Sequence, residues 1–549
     1  MTDLLAPEGM TLEAAAPALA LALPVRDGGL RESDRAFYDT FDGLLYAAGL
    51  LAVHERGRLA LVERDGAQRA SGRERISVSL PRLERPLLAL ELEPGPLREA
   101  LSAVAGVRAL LALVQVHSRV RSLAVLDSER KTVVRLTLEA PALVSLGVRR
   151  RALRPRIRCA VVRGYDSELV RVVDVLQHEL GFLPAEQALV DEAVSAAGGD
   201  PAGTSSKIDV AVNRRQRADE ATVAVLGRLR EIIEANLEGT IADVDSEFLH
   251  DFRVSVRRSR AVQRQCQRVF PPAELAHFRD EFRWLQQVTG EARDLDVYVL
   301  EFESMRALVP EPMRAELEPL LGVLRSRRLI VRREMVRGLR SERTPLLLAD
   351  WSSFLERLVC PPQDGSLGLV DTGPLGPVGA GALDPAGAGA GAIRPGEDGP
   401  DAGRGIADLA GEQIRKLYRR MVRMGRAIDD DSPPEVYHEL RKKGKELRYV
   451  LELFGSLYPS DAVKPMIKSL KALQDTLGRH QDREIQRGML RSLRDEVAAL
   501  PGGPGALMAM GVLVERLGED ERAARNTFAE RFAVFASKEQ RKLIKETFS

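Results

Sequence analysis

The stretch HDFRVSVRRSR (residues 250–260) and the stretch HELRKKGKELR (residues 438–448) carry one pattern. His250 matches His438, Arg253 matches Arg441, Arg257 matches Lys445 and Arg260 matches Arg448, all at the same offset along the chain. At about 100° per residue these positions fall within an arc of roughly 80° on a helix, so each set shares one face. Arg264 extends the first row, while Leu440, Leu447, Leu451 and Phe454 fall on a different face, the core side. Like charges three or four residues apart repel by about 0.2–0.5 kcal/mol per pair. Such a row becomes favourable when an anion or a line of acidic groups lies along it. One basic helix is most simply a solvated face. Two copies at matched spacing point to anion binding, and the planar, permanently charged guanidinium suits phosphate.

The match continues outward. Phe270-Pro271 falls on Tyr458-Pro459, Leu285-Gln286 on Leu473-Gln474, Gly290 on Gly478 and Asp294 on Asp482, without a gap. Each half therefore reads as helix, proline-marked turn, helix and a further turn between the Gly and the Asp. Two such halves predict an α-helical bundle with approximate internal two-fold symmetry. The halves are expected at 207–358 and 406–549, together a helical domain over 207–549, separated by a Gly/Pro/Ala-rich insertion at 361–405 that cannot build a core. Residues 1–30 read as a disordered tail and 196–206 as a linker. Between them, residues 31–195 favour strands: KTVVRLTLEA (131–140) alternates at period two and RIRCAVVRG (156–164) is β-branched and compact. SELVRVVDVLQHELG (167–181) reads as an amphipathic helix. The fold class is thus α+β: a mostly antiparallel β domain followed by an all-α bundle of two pseudo-symmetric repeats.

Composition limits the function. With 81 Lys and Arg against 80 Asp and Glu, the chain is no polycation, so a basic patch must be local. Three scattered cysteines, Cys159, Cys266 and Cys360, make neither a disulfide framework nor a zinc pattern and fit a reducing cytoplasm. No apolar run reaches the roughly 18 residues of a membrane helix, and no basic region precedes the Ala/Leu-rich start, so neither membrane insertion nor a signal peptide is expected. His54, His117, His178 and His277 lack partners at ligand spacing, and no phosphate-loop motif occurs. Neither metal nor cofactor is expected. Two more helices add basic rows: Arg325, Arg328 and Arg332 in one, and Lys416, Arg419 (or Arg420) and Arg423 in the other. Several basic faces suit a long, uniform polyanion, held through phosphate oxygens.

HDFRVSVRRSR, YHELRKKGKELRY and LKALQDTLGRHQD resemble the CHAD domain, the conserved-histidine α-helical domain, over residues 207–549. The resemblance implies a symmetric pair of four-helix units whose basic central surface binds inorganic polyphosphate. It places His250, Arg253, Arg257, Arg260, His438, Arg441, Lys445 and Arg448 on the polymer, with Arg325, Arg328, Lys416 and Arg419 as further contacts, and Arg264, Arg332 and Arg423 join the expected binding residues from their places in the basic rows. Asp294 and Asp482 would hold turns or orient the bases. It also suggests polyphosphate granules as a location.

FYDTFDGLLYAAGLLAVHERGRLALVERDG (37–66) resembles a CYTH domain, a family whose active members are metal-dependent triphosphatases with a tunnel of alternating bases and acids. Their ExExK motif is absent: Glu13 stands alone near the N-terminus, and RCAVVRGYD supplies Val161 and Arg163 where acids would be expected. Arg56, Arg58 and Arg64 would still face a tunnel. The expectation is a degenerate, non-catalytic CYTH-like domain. Three functions remain: a non-catalytic polyphosphate binder, a metal-dependent triphosphatase or polyphosphatase, and a nucleic-acid binder. The last is disfavoured because aromatic residues, which stack bases, are 5% of the chain.

Overall fold

The computed structural model describes residues 2–64, 74–83, 85–144, 151–359, 399–429 and 431–548. The chain divides into two compact units, Met1–Ser206 with Ala242–Phe248, and Lys207–Ile241 with Leu249–Ser549.

The first unit is built on an antiparallel sheet. Its strands are β1 (Thr2–Leu5), β2 (Val25–Asp39), β3 (Leu50–Glu55), β4 (Arg58–Glu63), β5 (Glu74–Ser79), β6 (Leu87–Leu88), β7 (Ala109–Leu126), β8 (Thr132–Leu143), β9 (Arg151–Ala152), β10 (Arg156–Val161) and β11 (Leu183–Pro184). The order is β11-β1-β10-β8-β7-β2-β3-β4-β5, with β6 added to β7 and β9 to β8. Val134, Leu136 and Leu138 of β8 alternate along one face and are buried, as a strand covered on that face requires.

Residues 2–30, within the stretch expected as a tail, form a strand, a helix and the start of β2. β1 pairs with β10 from Thr2 opposite Cys159 to Leu5 opposite Arg156. A helix at Leu12–Ala22 buries Leu12, Ala15, Ala16 and Leu19 in the same core, its start capped by the Thr11 side chain. β1 has four residues, too short to display a period, and Ala and Leu are strong helix formers that need no wide apolar stripe. Asp3 is buried against Arg156 at 3.0 Å, and Glu13 pairs with Arg119.

The helical unit contains α1 (Ala218–Ala242), α2 (Ser246–Gln265), α3 (Pro272–Val288), α4 (Gly290–Leu300), α5 (Glu318–Leu339) and α6 (Arg343–Val359) in its first half. The second half has α7 (Ile406–Arg426), α8 (Pro434–Phe454), α9 (Ser460–Ser492), α10 (Gly503–Phe535) and α11 (Lys538–Thr547). The starts of α1, α2 and α3 recur as the starts of α7, α8 and α9 at the offset read from the sequence. Phe270 and Tyr458, each ahead of a proline, are extended, which stops one helix and lets the next begin. Six of these helices lie in the first half and five in the second, because α9 alone spans the positions equivalent to α3 and α4.

The expected Gly-to-Asp turn is not formed. Gly478 and Asp482 lie inside α9, and Gly290 opens α4 directly after α3. Neither glycine has a positive φ. Each lies beside an arginine, with Arg253 next to Gly290 and Arg441 next to Gly478.

The Gly/Pro-rich stretch lies outside the described residues up to 398. Its end, residues 399–405, is packed rather than free. Asp401 and Ala402 are buried, and the carbonyls of Ala402 and Arg404 accept from Asp219 N and Ala218 N. They satisfy first-turn donors of α1 that no helical carbonyl can reach.

One hydrophobic cluster joins Phe252, Phe282 and Trp351 of the first half to Leu440, Leu447 and Leu473 of the second. A second joins Leu320 and Leu324 to Leu513 and Leu517. Leu451 and Phe454 are buried as their positions on α8 predict. Among the described residues, no helix is long and apolar enough to cross a membrane.

Candidate functional site

α2 and α8 each present one basic row, and side-chain contacts at equivalent positions recur at the two ends of the rows. His250 Nδ1 accepts from Arg293 at 3.0 Å, and His438 Nδ1 faces the Gln481 amide; positions 293 and 481 are equivalent in the repeat. A guanidinium only donates, so His250 accepts at Nδ1 and, when neutral, carries its proton on Nε2. Burial holds His438 below the ordinary histidine range; Lys442, Arg441 and Lys445 add to the effect and Glu439 opposes it.

Next along the rows, Arg253 donates to the Gln286 carbonyl and Thr289 Oγ1, both at 2.9 Å. Arg441 donates to Gln481 Oε1 and Asp482, both at 3.0 Å. Burial, reinforced by Arg257 and Arg293 and opposed by Asp294, lowers Arg253 to about 10. Asp482 therefore orients a base rather than a turn. At the far end Arg260 bonds to Gln286 Oε1 and Arg448 to Gln474 Oε1, again at equivalent positions.

The middle of each row differs. Arg257 and Lys445 are equivalent, and neither makes a hydrogen bond or ion pair among the described residues. Arg257 Nε is enclosed without a partner. Burial lowers Lys445 to about 8, helped by Arg441, Arg257 and Arg448 and opposed by Asp482. These two cations, one from each half, line a single groove of about 470 Å³ with Arg441, Arg448, Arg479 and Arg483, beside the carboxylates Glu301, Asp475 and Asp482.

This array costs stability. Replacing Lys445 by Met keeps most of the aliphatic volume and deletes the buried charge. A lysine held near 8 rather than at its ordinary 10.5 costs on the order of 1–3 kcal/mol of folding free energy at pH 7. The folded pKa lies below the unfolded one. The cost is therefore complete below about pH 8 and disappears as pH rises past the unfolded value. Lys445→Met should raise the melting temperature by a few degrees at pH 7, with the gain shrinking toward pH 10. Equal melting curves at both pH values would show that Lys445 is not strained.

Other residues read from the sequence lie elsewhere. Arg264 is exposed and paired with buried Glu446. Arg328 is paired with Asp296, and Arg325 is exposed on α5. Arg332, expected on a binding face, is buried and donates to the Thr240 and Ile241 carbonyls near the end of α1. A long arginine can reach back to a neighbouring helix end, which periodicity on its own helix cannot reveal. Lys416 is exposed on α7, whereas Arg419 and Arg423 line a different groove, against α11. Arg479 and Arg483 were missed. They sit four residues apart inside LKALQDTLGRHQDREIQ, and reading that segment as a turn concealed the face they share.

In the first unit, a cavity of about 380 Å³ on the sheet is lined by Arg56, Arg58 and Arg64, together with Arg31, Arg35, Arg158, Glu55, Glu63 and Glu139. Glu139 is held by Arg35 and by Ser118. Val161 and Arg163 are not among the cavity's lining residues.

Residues 224–491 match the family model of the CHAD domain. The helical unit contains a CHAD domain. Two uncharacterized proteins of Mycobacterium tuberculosis, from strains CDC 1551 and H37Rv, are 27% identical over 258 residues, or 46% of this chain. The match spans 42% of the length of those relatives. Similar solved structures include the CHAD domain from the plant Ricinus communis, at 22% identity and TM-score 0.45, covering 59% of this chain and 95% of that one. PptA from Streptomyces chartreusis is 14% identical with TM-score 0.41, covering 58% of this chain and 99% of that one.

Proposed function

We propose that the CHAD region binds inorganic polyphosphate without catalysis, along a groove shared by the two halves. The observation that carries this reading is the pair Arg257 and Lys445. Two cations at equivalent repeat positions are held in one groove, and neither has an ion-pair partner among the described residues. A polyanion along the groove would relieve their repulsion and supply acceptors to Arg257 and to the arginines around it. The histidines, with Nε2–H as a donor, would add hydrogen bonds at the head of each row. Titration of the full chain with long-chain polyphosphate tests the reading, with single-stranded DNA of equal charge as competitor at fixed salt. Equal competition by DNA would support a general polyanion or nucleic-acid site instead. A cytoplasmic binder of this kind would be expected at polyphosphate granules.

We read the first unit as a degenerate CYTH-like domain. Its arginine-lined cavity supports the likeness. The missing ExExK motif, and the engagement of Glu139 by Arg35 and Ser118, support the absence of catalysis. No phosphate should be released from tripolyphosphate or nucleoside triphosphates with Mg²⁺ or Mn²⁺. Sustained metal-dependent release by the purified chain, lost on Arg58→Glu, would replace this reading with a triphosphatase.

A further inference from the structure

The groove between α7 and α11 has a different composition from the shared groove. Arg415, Arg419, Arg423 and Arg426 of α7 and Arg541 and Lys545 of α11 line a cavity of about 660 Å³. No carboxylate is among its lining residues. None of the six bases forms an ion pair among the described residues. This is conspicuous in a chain with 80 acids, where arginine after arginine is matched to one. The four on α7 recur at spacings of four, four and three, which stacks them on one face, so neighbouring charges repel along the helix. Between the rows, Tyr418, Val422 and Ile544 form an apolar floor beneath the arginine stems. Tyr418 is fixed there by its hydroxyl, which donates to the Phe535 carbonyl at 2.9 Å.

The repeat supplies an internal control. The positions on α1 equivalent to those four arginines hold Gly227, Glu231, Ala235 and Glu238. In that half Glu231 pairs with Arg228, and Glu234 with Arg230. Symmetry of the fold therefore does not demand the basic row on α7. The second half alone carries it, next to a helix that brings two more bases.

We propose that this groove is a second anion site, taking a compact molecule with several clustered phosphate groups. Its volume is that of a small-molecule pocket, and six converging donors suit phosphates held close together. The site does not depend on the shared groove, which is lined by other residues.

Calorimetric titration of the full chain with inorganic tripolyphosphate tests this, first in an Arg441→Glu/Lys445→Glu background that disables the shared groove. That background should retain one binding event. Arg419→Gln/Arg423→Gln added to it should weaken the event at least tenfold. Arg541→Gln/Lys545→Gln, on the opposite wall, should do the same. All four side chains are exposed, and matching circular dichroism and melting curves would verify the fold. If the background shows no tripolyphosphate binding, or if both wall variants leave that binding unchanged, the second site does not exist. Loss of long-chain polyphosphate binding in the background alone concerns the shared groove and leaves this result interpretable.

Discussion

Arg253→Glu/Arg257→Glu and Arg441→Glu/Lys445→Glu should each weaken binding of long-chain polyphosphate by about 100-fold or more at low salt. A charge-assisted hydrogen bond contributes about 1.5–3 kcal/mol, each tenfold change in affinity corresponds to about 1.4 kcal/mol, and reversal adds repulsion to the loss. The two losses should be similar, because the mutated positions are equivalent in the repeat and three of them, Arg257, Arg441 and Lys445, line one groove. Arg253 holds a backbone carbonyl of α3, so its reversal also disturbs packing. Arg257→Gln and Lys445→Gln avoid that complication. Neither side chain is bonded to the protein among the described residues, so each should keep the fold and lose about tenfold in affinity. Retention of full affinity by both glutamine variants would mean that the central pair does not touch the polymer.

Binding should weaken steeply as pH rises above about 8. Lys445 in the free protein loses its proton near 8 because of burial and its neighbours Arg441, Arg257 and Arg448, with Asp482 as the opposing charge. A bound polyanion favours the ammonium form, so the bound pKa lies higher. Between the two values binding takes up a proton, and affinity falls by up to tenfold per pH unit. His438 adds a second step at lower pH. Its free pKa lies below the ordinary 6.5, so it is largely neutral at pH 7. Affinity should rise as pH falls through the window between its bound and free pKa values, then level off below the free one. Titrations from pH 5.5 to 10 at constant ionic strength would resolve both steps. Lys445→Met should abolish the upper step and leave the lower one. A flat profile would remove proton linkage from the account.

The parts of the fold legible in the sequence were those with repeated spacing. His250 and His438, the prolines after Phe270 and Tyr458, and Gln286 and Gln474 placed the helices correctly, because helix starts and core faces repeat with the chain offset. The sharing of one helix by His250, Arg253, Arg257 and Arg260, and of another by His438, Arg441, Lys445 and Arg448, was legible too, since the same spacing recurs. What escaped depended on neighbours distant in sequence. Arg332 follows the same period as Arg325 and Arg328, yet the end of α1 claims it. Arg419 and Arg423 read as one more basic row, but α11 turns them into a separate groove. The β1 strand gains its place from the edge of β10, and nothing in four residues announces that pairing. Arg479 and Arg483 were hidden because a glycine and an aspartate suggested a turn where α9 continues.

The central claim is that both halves hold one polymer, and the salt dependence of long-chain polyphosphate affinity tests it most directly. Counterion release makes the logarithm of affinity fall linearly with the logarithm of salt, by about 0.7 per neutralised phosphate if the polymer behaves like a single nucleic-acid strand. Measured for the wild type, Arg257→Gln and Lys445→Gln, the slope should be steep in the first and shallower by a similar step, about 0.7, in each variant. A slope that changes in only one variant, or in neither, would contradict a site shared by the two halves.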